Sequence, residues 1–205
     1  MLKRLLSGLV ILFFTGSAMA TEEPEYTVIE KSEAFELRAY SPKIVAETRV
    51  SGSLDEASSA GFKLIAGYIF GNNTSRKGGN EKISMTAPVT MEPTSEKISM
   101  TAPVSMEQTG GQWRVHFVMP SEYTLDTLPT PNNPAVTIRE VPSSNYAVIR
   151  FSGFAGEDKI ATKTADLMAW LDSKNITPRG KPELARYNPP WTLPFLRRNE
   201  VMVAY

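Results

Sequence analysis

Apolar side chains recur on every second residue in short segments near residues 26–30, 35–40, 44–50, 113–119, 136–141, 146–151, 183–187 and 201–204. Period two is the mark of a strand with one buried face. Two stretches change period. Leu54, Ala57, Gly61, Ile65, Tyr68 and Ile69 keep helical spacing behind Ser53 and Glu56, a capping box, and Gly71 is the stop. Ile160, Thr164, Leu167, Met168 and Leu171 share a second helical face, with Glu157 and Asp158 in its first turn and Pro178 beyond its end.

The chain repeats itself twice over. Residues 81–92, EKISMTAPVTME, return as residues 96–107, EKISMTAPVSME, with a single Thr90/Ser105 exchange. Ile83, Met85, Ala87, Val89 and Met91 alternate with polar residues in the first copy, as do Ile98, Met100, Ala102, Val104 and Met106 in the second. The pattern predicts a duplicated β-hairpin, and Pro88 and Pro103, which cannot donate to a ladder, place each copy at a sheet edge or bulge. A fainter repeat has an offset of 101: Leu37-Arg38 and Val45-Ala46-x-x-Arg49-Val50-Ser51-Gly52 return as Ile138-Arg139 and Tyr146-Ala147-x-x-Arg150-Phe151-Ser152-Gly153. A helical segment follows each block. The fold class is therefore α+β: two halves, near residues 24–107 and 112–205, each with a mostly antiparallel sheet. The sheets are expected to pack or curl into a distorted barrel with the helices outside. A ligand would then lie in the crevice between a helix and the sheets. The loops 71–80, 108–112, 121–134 and 188–194 are polar or proline-rich.

Residues 1–20 have a basic start, an apolar run and Ala18-Met19-Ala20, the form of a secretory signal peptide. The expected mature chain is one domain, residues 21–205, exported, and periplasmic if the host is Gram-negative, otherwise secreted. No later segment is apolar enough to span a membrane as a helix. Losing Lys3 and Arg4 lowers 22 Lys+Arg to 20 against 22 Asp+Glu, a balance that points away from nucleic acid. There is no cysteine, hence no disulfide, thiol nucleophile or thiolate metal site. A monomer is expected.

Several motifs together resemble the SOUL haem-binding family: Phe35-Glu36-Leu37-Arg38-Ala39-Tyr40, Gly61-Phe62-Lys63-Leu64 through Tyr68-Ile69, the repeated Lys-Ile-Ser-Met-Thr-Ala-Pro-Val, Phe117-Val118-Met119-Pro120-Ser121, Tyr187-Asn188-Pro189-Pro190 and Arg197-Arg198-Asn199-Glu200-Val201. The resemblance implies a barrel of two four-stranded sheets flanked by two helices, each half a βαββ unit. It also implies non-covalent binding of haem b or another porphyrin, a small planar amphipathic ligand, for carriage or buffering in the envelope, with no established enzymatic turnover. Where the family pattern proposes an iron-ligating histidine this chain has Ala39, and where basic residues would meet the propionates it has Ser59 and Gly67.

Phe62, Ile65, Tyr68 and Ile69 are the candidate wall of the porphyrin site, although the same spacing serves a helix docked on a sheet. Phe62 lies beside the main stripe. Arg197 and Arg198, next to Glu200 and Pro189-Pro190-Trp191, are candidates for the propionate clamp; their structural alternative is an ion-pair network anchoring the last strand. His116, the one histidine, alternates with Trp113, Val115, Phe117 and Met119 and is expected on the exposed face. Met85, Met91, Met100, Met106 and Met119 allow a Cu(I) site, set against methionine's ordinary use as core filler. A third reading makes the duplicated hairpin an envelope protein-interaction module.

Overall fold

The computed structural model describes residues 21–93 and 112–205. The strands are β1 (Tyr26–Ser32), β2 (Phe35–Tyr40), β3 (Lys43–Ser51), β4 (Asn73–Thr74), β5 (Val89–Pro93), β6 (Gln112–Val118), β7 (Thr130–Pro131), β8 (Thr137–Val141), β9 (Ser144–Phe151), β10 (Glu183–Arg186) and β11 (Asn199–Ala204). The helices are α1 (Leu54–Ile69) and α2 (Glu157–Ser173), with a 3-10 turn at Pro194–Leu196.

In place of two four-stranded sheets there is one main sheet of nine strands, β1-β2-β9-β11-β10-β5-β6-β3-β8, with β4 and β7 paired beside it, every ladder antiparallel. The two halves are fused where Leu184 pairs with Met91 and Arg186 with Val89. Read outward from that join, β10-β11-β9-β2 mirrors β5-β6-β3-β8. The offset of 101 carries β3 onto β9, and β2 onto β8, each sitting at the matching place on the other side. The blocks repeated in sequence are thus exchanged in space: β2 pairs with β9 and β8 with β3.

Both helices lie on one face. Ser53 caps α1 as expected, its hydroxyl accepting from the Glu56 amide while Glu56 accepts from the Ser53 amide at 2.9 Å. Asn72 N–H reaches Gly67 O at 2.8 Å and Gly71 N–H reaches Tyr68 O at 3.3 Å, a Schellman ending that needs Gly71 at φ +113°. Leu54, Ala57, Ile65, Tyr68 and Ile69 of α1 and Leu167 and Leu171 of α2 share one core with Leu37, Ala46, Met91, Val115, Phe117, Ile149, Leu184 and Val201 of the sheet. Phe35 stacks on Trp170 at 5.0 Å, pinning β2 under α2.

The other face is buried as well, because the sheet curls into a half-barrel. Lys43 of β3 lies over the rings of Tyr40 in β2 and Tyr146 in β9, at 4.6 and 5.7 Å, although four strands stand between β3 and β9 in the sheet order. His116 is therefore buried, not exposed: it points into the concave side, which the alternation rule alone assigns to solvent.

The first repeat copy also departs from expectation. Only Val89–Pro93 is strand, and it is central, between β10 and β6, not at an edge. Pro88 is tolerated because it immediately precedes the first ladder pair, Val89 with Phe117. The second copy lies outside the described residues.

Candidate functional site

On the helix side, α1 divides the expected wall. Ile65, Tyr68 and Ile69 point down into the core, all but inaccessible, and the Tyr68 hydroxyl donates to Pro129 O at 2.9 Å. Phe62 stands off that stripe, 40% exposed, its ring 5.6 Å from Phe117 below. One turn earlier, Ser58 Oγ accepts from Arg186, which also donates to Ala155 O and lies 3.7 Å from Asp55. Arg186 thus ties α1 to the β9–α2 loop. In that loop Phe154 is exposed, with the Arg197 guanidinium 4.8 Å over its ring.

Arg197 is held by two carbonyls, Thr192 O at 2.8 Å and Pro190 O at 2.5 Å, while Gly153 N–H donates to Pro194 O at 2.9 Å. This frame presents Trp191, Leu193, Phe195 and Leu196 outward; Trp191 is 82% exposed. So many large apolar groups on one short loop make an exposed apolar patch, the kind of surface that binding sites use. Sequence reasoning grouped Trp191 with the arginines but missed Phe154, Leu193, Phe195, Leu196 and Arg186. The available signal was a proline-rich connection carrying bulky apolar residues where polar ones are usual.

Arg198 turns the other way. Its guanidinium donates to Glu200 Oε1 at 2.9 Å and to Glu23 at 2.9 and 3.0 Å, and stacks 3.7 Å over Tyr187. The two arginines are therefore not brought together: Arg197 faces the aromatic loop, Arg198 the concave network.

That network runs across the inner face. Arg38 makes a bidentate pair with Glu200, at 2.8 and 3.0 Å, and also bonds Glu36 and the Tyr40 hydroxyl. Burial works to raise the Glu200 carboxyl, but Arg38, Arg198 and the Tyr187 hydroxyl hold it below the usual range. Farther along, Arg114 pairs with Glu92, Glu47 and Glu183, and Arg139 with Glu47 at 3.0 Å. Burial, then the Glu92 charge, pushes Glu183 up to about 7. Burial and the cations Lys43, Arg114 and Arg139 push His116 well below its ordinary range, so its imidazole is neutral. Its Nδ1 has no hydrogen-bond partner. Tyr40, Lys43, Thr90, His116, Glu183 and Tyr187 enclose a void of about 10 Å³, the room of one water.

Lys43 and Val118 also border an open cleft of about 450 Å³ whose rim carries Glu22, Glu23, Glu25, Asp126 and Glu140. None of the residues expected to hold a porphyrin lines it, whereas Met119 of the copper reading does. Of the methionines, Met91 and Met119 are buried among Val115, Leu184 and Phe117, and Met85 is half-buried. Met100 and Met106 lie outside the described residues. No group of three or more His, Asp or Glu side chains suited to a metal ion occurs among the described residues.

The fold is shared with distant solved structures. The C-terminal domain of EcmrR superposes with a TM-score of 0.60 at 11% identity, over 87% of this chain and 96% of that one. A hydrolase from Listeria innocua gives 0.56 at 9% identity, over 85% and 93%. An uncharacterized conserved protein from Listeria innocua gives 0.55 at 10%, over 89% and 92%. At such identities the likeness speaks for the fold alone. No curated protein sequence matches the chain. The family model described as SOUL heme-binding protein matches residues 21–204, nearly the whole chain, and this protein is a member of that family.

Proposed function

We propose that this protein binds haem or a related tetrapyrrole, non-covalently and reversibly, on the helix side of the sheet. The observation that carries the reading is an apolar shelf of exposed groups, Phe62 on α1 and Phe154, Trp191 and Phe195 on the two loops, whose elements Arg186 and Arg197 tie together. A porphyrin asks for flat apolar area and for cations at its propionates. Aromatic rings give the first at low entropic cost, and the arginine forks give the second. No histidine supports an axial bond here, because Ala39 stands in the first motif and His116 is buried on the opposite face of the sheet.

Ile65, Tyr68 and Ile69 back the shelf from within the core, and Arg198 holds the last strand through Glu200, so of the two arginines expected at the propionates Arg197 is the one left to join Arg186 there. Reversible binding to a monomer exported to the cell envelope would suit carriage or buffering. No helix among the described residues is long and apolar enough to cross a membrane.

The test is a haemin titration of Phe62→Asp. Binding weakens at least tenfold, ~1.4 kcal/mol, while circular dichroism stays native. Unchanged affinity in a folded variant would remove α1 from the site.

A further inference from the structure

The place that β5 fills in the sheet is secured by residues 81–92, and the chain carries that segment twice. The Asn73 side chain bridges Glu81 at two points, donating to its carbonyl at 2.8 Å and accepting from its amide at 2.9 Å. Ile83 N–H donates to Ile69 O at 2.9 Å, and the Thr86 hydroxyl donates to Val118 O. Val89, Thr90 and Met91 pair with Arg186, Ala185 and Leu184 on one side and with Phe117, His116 and Val115 on the other. Glu92 meets Arg114.

Fifteen residues later the same side chains recur as Glu96, Ile98, Thr101, Val104, Met106 and Glu107. The one exchange puts Ser105 for Thr90, at the void beside His116, and removes a single methyl.

The connections do not choose between the copies either. With the first copy paired, residues 94–111 join β5 to β6. With the second, Gln108 would take the position of Pro93 opposite Trp113, leaving residues 109–112 with Gly110-Gly111 as a hairpin loop of favoured length. The surplus then moves to the connection closed by the Asn73–Glu81 bridge. Because closure entropy follows the logarithm of loop length, shortening one connection and lengthening the other changes the balance by only about twofold.

We propose that the two copies alternate in this one slot, so the chain has two threadings of the same fold that differ by a fifteen-residue slip. The inference stands apart from the haem reading.

Ala185 faces Thr90 across the ladder, and the chain has no cysteine, so each threading can be trapped by a disulfide. Two variants are oxidised, one carrying Thr90→Cys with Ala185→Cys, the other Ser105→Cys with Ala185→Cys, and the bonds are mapped by peptide mass. A chain lacking residues 96–110 with the first pair gives the rate for a fully occupied slot, and each variant in urea gives the rate for an unfolded chain. Both pairs are expected to close well above their urea rates and within about tenfold of each other, one decade of equilibrium constant. Closure of only one pair above its urea rate overturns the proposal, because the slot then belongs to one copy. Closure of neither overturns it too, since the pairing it rests on is then absent.

Discussion

The two faces of this sheet are both buried, yet they are built from opposite chemistry. The helix face is closed by hydrocarbon: Leu37, Ile65, Val115, Phe117, Leu167 and their neighbours, with no charge among them. The concave face is closed by ions: Arg38, Glu200, Arg114, Glu183 and Lys43, with Tyr40, Tyr146 and Tyr187 as insulation. An apolar face tolerates loss of area gradually, whereas a buried ion set is intolerant of losing one member, because the partner is left charged in a place that water cannot reach. The first face can lend an aromatic at its edge to a ligand. The second has fewer degrees of freedom to give away.

The sharpest break is Glu200→Ala, which takes the bidentate partner from Arg38, itself 1% exposed and left with Glu36 as its one carboxylate, and removes a partner from Arg198 and Tyr187. Stability falls by about 3–5 kcal/mol in a urea titration. A loss under 1 kcal/mol would mean the network is no more than surface pairing.

Next comes pH. Glu183, raised to about 7 in the fold, keeps its proton there when the unfolded chain has lost it near 4.5, so its contribution falls as pH rises between those values. His116, lowered in the fold, works the other way: stability rises until its unfolded value of 6.5 is passed. In the native chain the two slopes oppose each other over pH 4.5–6.5. In Glu183→Gln the opposing carboxyl slope is gone, and stability climbs with pH toward 6.5 more steeply than in the native chain, as read from urea midpoints across this window. A flat profile in that variant would remove His116 from the buried set.

The apolar face is probed by Gly61→Ala. A Cβ there would lie 2.6 Å from Val115 Cγ2 and 2.7 Å from its Cβ, so α1 must lift from β6, at about 1–3 kcal/mol. An unchanged denaturation midpoint would show slack under the helix. The smallest effect belongs to His116→Ala, on the face opposite the proposed site. Haemin affinity stays within about threefold, ~0.6 kcal/mol. Loss of the Soret band would instead move the ligand to the concave side.

Much of the architecture is legible in the residues. The capping box at Ser53–Glu56, the stop at Gly71 and the period-two runs locate both helices and most strands, and the 101-residue offset announces the twofold plan. What periodicity does not carry is partnership between distant segments. Nothing in a local pattern says that Leu184 meets Met91, which makes one sheet out of two, or that curvature will bury His116. For the proposed site, Phe62 is legible as the residue off the stripe. The aromatic loop is not, because exposed side chains on a connection obey no period, and the split between Arg197 and Arg198 depends on where β11 begins.

The position of β11 also governs how the molecule is assembled. It is the last strand in chain order, yet it sits between β9 and β10. Until it arrives, the pairing order breaks into β1-β2-β9 on one side and β10-β5-β6-β3-β8 on the other, each with an unpaired inner border. Between the making of β10 and of β11 a nascent chain therefore carries two bare strand edges, the condition in which sheets capture neighbouring chains. Its ladders join segments far apart in sequence, which slows the search that would close them. A partner that shields strand edges, or a stretched passage that postpones pairing until the whole chain is through, would matter more to the yield of this protein than any single contact in its core.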